Sequence, residues 1–164
     1  MNQSNEKPLD AGFTLRPQDD ARFDDPIYWE GSVLKRLFGY IVDAMVLAGL
    51  SMGIWIITPL TLGLLAPLAA AATTILPFVY HTMLISMRGQ TIGQKLAGIR
   101  VVDAPTGSNP SLIQAFLLTV LFYISLSLAF IPLLYILFDP RDRFLHDILS
   151  NTRALNAETL NKAV

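Results

Sequence analysis

Two long stretches of this chain carry almost no charge, and that restricts what it can fold into. Across residues 37–87 the single formally charged side chain is Asp43, and across residues 112–138 there is none. A chain of 164 residues has the length of one domain, and one soluble core would struggle to hide two such blocks. Hydrocarbon accepts them, because a helix satisfies its own backbone polar groups there. The charged fraction of 15%, against about 25% in typical soluble domains, points the same way. The expected fold class is all-α: a multi-span transmembrane protein with about three hydrophobic segments and short interfacial amphipathic helices.

The hydrophobic segments fall at about 34–58, 64–87 and 112–138. Some twenty apolar residues at about 1.5 Å rise cover a hydrocarbon core of roughly 30 Å. Lys35 and Arg36 open the first segment and Pro59 closes it, since proline disfavours helical geometry in the residue before it. The link to the second segment is short and uncharged, so the two form an antiparallel hairpin. In the second segment Pro67 suits a first turn and Pro77 interrupts the interior. For the third block two arrangements stay open: one long helix broken near Pro132, or two shorter pieces that double back.

Residues 1–30 hold seven acids and three bases, a balance of −4, while the remainder balances at +3. This acidic, proline-broken stretch is expected to be a mostly disordered tail, with Pro26 to Trp29 docking at headgroup level. It lacks the basic flank, short apolar run and cleavage site of a secretory signal. Residues 31–155 form the transmembrane domain and 156–164 a C-terminal tail. In the polar stretch 88–110, Ile92, Leu96 and Ile99 recur at helical spacing, which predicts a short helix lying on the membrane. A second such helix is expected around Phe144 to Leu149. No basic stripe suggests nucleic acid, and without cysteine there is no disulfide, thiolate site or thiol nucleophile. No cofactor is expected and no enzymatic activity.

Orientation follows from lysine and arginine in short loops. Lys35 and Arg36, then Arg88, Lys95 and Arg100, place the N-terminus and loop 88–110 on the cytoplasmic side, with the Pro59 loop outside. Arg141, Arg143 and Arg153 ask for an inside C-terminus as well, which favours a third block that doubles back.

Asp43 is the most informative residue, because a carboxylate within a span costs roughly 2.5–3.5 kcal/mol on insertion scales and commonly marks function. Arg36 lies seven residues earlier on the same face, about 10 Å along the axis. A structural Arg36–Asp43 ion pair is one reading and a cation or proton site is another; with the C-terminus inside, Arg36 could also reach Asp147. His81 lies at the depth of Asp43 in an antiparallel hairpin, so the two are candidates for a proton relay or for separate packing roles. Tyr80 beside it has the same ambiguity. Gly49 and Gly53 form a Gly-x-x-x-Gly pair suited to close helix approach and to a homo-oligomer. The run from Gly89 to Lys95 lacks the spacing of a phosphate loop. Asp139, Asp142, His146 and Asp147 read as solvated charges interleaved with arginines rather than a metal set.

Three blocks carry a resemblance. LKRLFGYIVDAMVL at 34–47, GQTIGQKLAGIRVVD at 89–103 and LFDPRDRFLHDILSNTR at 137–153 resemble the RDD family of bacterial membrane proteins, named for one arginine and two aspartates. The resemblance places the arginine on Arg36, the first aspartate on Asp43 and the second on Asp147, with Thr152 following as in relatives. Gln94 departs from the residues common before the lysine. Some members are proposed to exchange sodium or other monovalent cations for protons. The resemblance implies a bacterial cytoplasmic-membrane protein and leaves its function open, and the residues allow two options. One is a cation/proton-coupled transporter acting as an oligomer. The other is a scaffold or accessory protein that transports nothing and whose Arg and Asp residues are structural. Its partners would be the lipid bilayer, a monovalent cation or proton, and further copies of itself.

Overall fold

The computed structural model describes residues 23–128 and 131–163. Two long helices dominate it: α1, Ser32–Leu60, and α2, Ala66–Arg88. Both are long and apolar enough to cross a membrane, and only 11% and 22% of their apolar windows are buried inside the protein. A soluble core helix would be mostly buried, so these faces need an apolar surrounding. The turn between them closes on the Thr58 carbonyl, which accepts from Gly63 N–H at 3.1 Å, with Gly63 at φ +83°.

A compact platform follows. Helix α3, Ile92–Ala97, starts on a capping box in which Thr91 accepts from Gln94 N–H and Gln94 reaches back to Thr91 N–H. Gly98, at φ +71°, ends it after less than two turns. Strand β1, Ile99–Asp103, then pairs antiparallel with β2, Thr152–Asn156, with Val101 opposite Ala154. Between the strands lie α4, Leu112–Ser127, a short 3-10 segment, Ile131–Leu137, and α5, Leu145–Leu149; α6, Ala157–Ala163, follows β2. One face of the strand pair (Ile99, Val101, Ala154) packs with Ile85 of α2 and with Ala115 and Leu118 of α4. The other (Val102, Leu155) packs with Phe23 and Leu160, flanked by Tyr28 and Trp29.

Several expectations are corrected here. The chain is mostly helical, but the all-α reading misses the strand pair. Ile99 is a strand residue rather than the last position of a helical stripe. The β-branched run Ile99, Val101, Val102 directly after Gly98 was the signal for it. Helix α3 turns its small and polar residues, Gly93 and Gln94, inward and leaves Ile92 and Leu96 exposed. The third apolar block is two pieces, not one long helix. At 16 residues, α4 spans about 24 Å, less than a bilayer core. Within residues 23–30, read as the end of the tail, Phe23 is packed at 2% exposure, because β2 and α6 offer it an apolar face. Tyr28 and Trp29 sit against that cluster too. The expected C-terminal tail contributes Asn156 to β2 and buried Leu160 to α6. The rest of the tail reading, residues 1–22, lies outside the described residues.

The platform is tied to α1 by a close backbone approach. A Cβ on Gly93 would collide with the Gly39 carbonyl and stand 2.8 Å from Asp43 Cγ. Gly49 and Gly53, by contrast, face open space within the chain. Gly93→Ala is therefore expected to cost about 1–3 kcal/mol by overpacking, read as a lower thermal unfolding midpoint in detergent. Gly53→Ala, with nothing within 4 Å, should not lower it.

Candidate functional site

Two buried carboxylates anchor the polar interior. Asp43, in the first half of α1, is 1% exposed. Its Oδ1 accepts from Tyr80 Oη at 2.7 Å and Gly93 N–H at 2.8 Å, and its Oδ2 accepts from Thr91 Oγ1 at 2.6 Å. The capping geometry explains the aim of Thr91. Its oxygen accepts from Gln94 N–H, which leaves its hydrogen for the carboxylate. Asp43 thereby joins α1 to α2 and to the start of α3.

Arg36 stands on the same helix but faces elsewhere. Its Nη1 donates to Asp147 Oδ2 at 2.5 Å and its Nη2 to the Ala154 carbonyl at 3.2 Å, while its guanidinium lies 5.1 Å from the centre of the Phe144 ring. Asp147 also accepts from Phe144 N–H at 3.2 Å, which caps the start of α5. The expected Arg36–Asp43 pair does not form. Seven residues of helix separate the two by about 10 Å along the axis, whereas β2 and α5 bring acceptors directly to the guanidinium. The family-motif aspartate is its actual partner.

His81 is brought to Asp43 as the hairpin geometry predicts: Nε2 lies 4.0 Å from Asp43 Oδ2. Its Nδ1 sits 2.9 Å from the Pro77 carbonyl and 3.3 Å from Tyr123 Oη. The second histidine mirrors it. His146 Nε2 lies 3.5 Å from Asp147 Oδ1, and its ring stacks on Phe144. Both histidine rings contact Phe122, at 6.4 and 5.7 Å between centres. Burial pushes the His146 pKa below its ordinary value; the Asp147 charge opposes this and the Arg36 charge adds to it. A cavity of about 20 Å³ touches Arg36, His81 and His146, enough for about one water. Among the described residues, Arg36 Nε and His146 Nδ1 are both buried without a protein partner, so each has a use for such a water.

The reading of the C-terminal acids as solvated charges is corrected. Asp139 is buried, and Arg143 holds it through Nε at 3.0 Å and Nη2 at 2.9 Å. Burial pushes the Asp139 pKa up, but the hydrogen bonds and charge of Arg143 outweigh it, and the carboxyl titrates below its usual range. Asp147 is buried against Arg36. Sequence reasoning missed Thr91 and Gly93 as partners of Asp43. The Thr-x-x-Gln capping signature at 91–94 was the available signal.

A family model described as the RDD family matches residues 31–151. No curated protein and no solved structure matches the chain.

Breaking a buried pair leaves an uncompensated charge, so Asp147→Asn is expected to cost about 3–5 kcal/mol, measured by denaturant unfolding in micelles. The double change Arg36→Met with Asp147→Leu should recover most of that loss, and no recovery would argue against the pair. Burial holds the His146 pKa below its ordinary value in the fold, so an unfolded chain takes up the proton first as pH falls below about 6.5. Its contribution is therefore fully present above that pH and is lost as pH falls below it. His146→Gln should flatten the decline in unfolding midpoint on the acid side of pH 6.5.

Proposed function

The chain belongs to the RDD family, and from that premise we propose that it is a bacterial membrane scaffold or accessory protein whose arginine and aspartates lock a cytoplasmic platform onto a transmembrane hairpin. One observation carries this reading: both oxygens of Asp43 are already taken by donors of the chain itself, from α2 and from the start of α3. The carboxylate works as a joint between elements. Asp147 does the same for α1, α5 and β2 through Arg36. The reading involves no enzymatic step.

In this proposal α1 and α2 are the two full spans, and α4 is only partly immersed beside them. The N- and C-terminal parts share the cytoplasmic side. Arg36, on the inner turn of α1, pairs with Asp147, and Lys35 donates to Asn156 Oδ1 at 2.8 Å. Arg88, Lys95, Arg100, Arg141 and Arg143 belong to the same end, while the turn at residues 61–65 carries no charge. That asymmetry supports a cytoplasmic platform.

A second reading, a cation/proton-coupled transporter acting as an oligomer, draws on the 4.0 Å approach of His81 to Asp43. Proteoliposomes with a trapped pH dye, pulsed with sodium, lithium and potassium, separate the two. The scaffold reading expects no cation-driven proton signal at any pH, and reduced abundance of Asp43→Asn in cells. A saturable signal that vanishes in an abundant, folded Asp43→Asn would overturn it in favour of transport.

A further inference from the structure

Asp43 has donors around it but no permanent positive charge beside it among the described residues. Thr91 Oγ1 accepts from Gln94 N–H at 3.1 Å and Tyr80 Oη from Ile92 N–H at 3.3 Å, so both hydroxyl hydrogens are free to point at the carboxylate. Together with Gly93 N–H they make three donors to one group, the pattern an ionised carboxylate takes. Arg36 is turned to Asp147, and His81, at 4.0 Å, carries a charge only when protonated. A buried charge without a counter-charge is costly.

Asp43 also lines a cavity of about 530 Å³, inside the range of about 300–1,000 Å³ for small-molecule sites. Its walls are hydrocarbon: Leu37, Ala44 and Leu47 of α1, Leu126 of α4 and Leu133 of the 3-10 segment. Phe122 and Tyr123 add aromatic rings close to His81. An inorganic cation suits this space poorly. It needs oxygen ligands in place of its hydration shell, and here the carboxylate oxygens are engaged and the walls are apolar. A neutral hydrocarbon chain would fill the volume and leave the charge unpaired.

We infer that this cavity binds a lipophilic organic cation, a protonated amine or onium group on an apolar body, with its positive centre against Asp43. The leucine walls take the body out of water or lipid, and the aromatic rings favour the cation over their faces. This goes beyond the scaffold reading and needs no transport.

Equilibrium dialysis of the full-length protein in micelles tests it, with tetraphenylphosphonium as the probe and tetraphenylborate as an anion of the same shape. Saturable phosphonium binding is expected, undiminished by sodium, with no saturable borate binding. Asp43→Asn should weaken it by about tenfold or more, the equivalent of about 1.4 kcal/mol. Ala44→Trp should abolish it by filling the cavity while leaving the donors to Asp43 in place. If Asp43→Asn fails to fold, the borate comparison and Ala44→Trp decide. Equal binding of the borate would make the cavity a hydrocarbon site without charge selection. Binding unchanged in Ala44→Trp, or no saturable phosphonium binding, would equally overturn the inference.

Discussion

The buried pair between Arg36 and Asp147 is the interaction on which the arrangement depends. It joins residues 111 positions apart, on the first long helix and on the short helix near the C-terminus. Such a pair adds little net stability compared with a well-packed apolar contact, since desolvating both ions offsets most of their attraction. What it supplies is selectivity. With Arg36 buried, any arrangement that fails to bring Asp147 and the Ala154 carbonyl to it strands a guanidinium without its acceptors. The C-terminal segment is thereby confined to one end of α1, and β2 is presented to β1.

Asp43 performs a parallel task with no arginine or lysine beside it among the described residues. Its partners are two hydroxyls and a backbone amide, and they come from the two elements that follow α1. Glycine makes this possible: the Gly39 carbonyl lies so close to Gly93 that no side chain fits at Gly93, and a Cβ at Gly39 would press on the start of α3. Hydrogen bonding and steric closeness specify the same docking of α3, the kind of agreement between levels that gives a single native arrangement. Asp43 is met by hydrogen-bond donors where Asp147 is met by an arginine, and that separates this site from the Arg36–Asp147 pair.

The two histidines sit at the seam between these centres. His81 belongs to the hairpin and His146 to the platform, and Phe122 touches both rings. The small polar cavity that reaches Arg36, His81 and His146 makes them parts of one interior rather than two separate features. The burial of His146 gives the platform its sensitivity to acid, against the opposing charge of Asp147, whereas Asp139, held by Arg143, is stable as an ion well below neutral pH.

By itself the sequence determined the long apolar helices, their hairpin, the equal depth of Asp43 and His81, and the family. Each of these follows from where charge is missing and how far a helix rises per residue, quantities local to the chain. Which carboxylate Arg36 would choose was decided only by tertiary structure, since rotation about each helix axis and the return of residues 139–156 set the distances. The inward turn of Gly93 and Gln94 and the pairing of β1 with β2 were settled the same way. Apolar periodicity reports which residues avoid water. It does not report which buried polar groups satisfy one another, because those partners come from remote parts of the chain and meet only after the helices have docked.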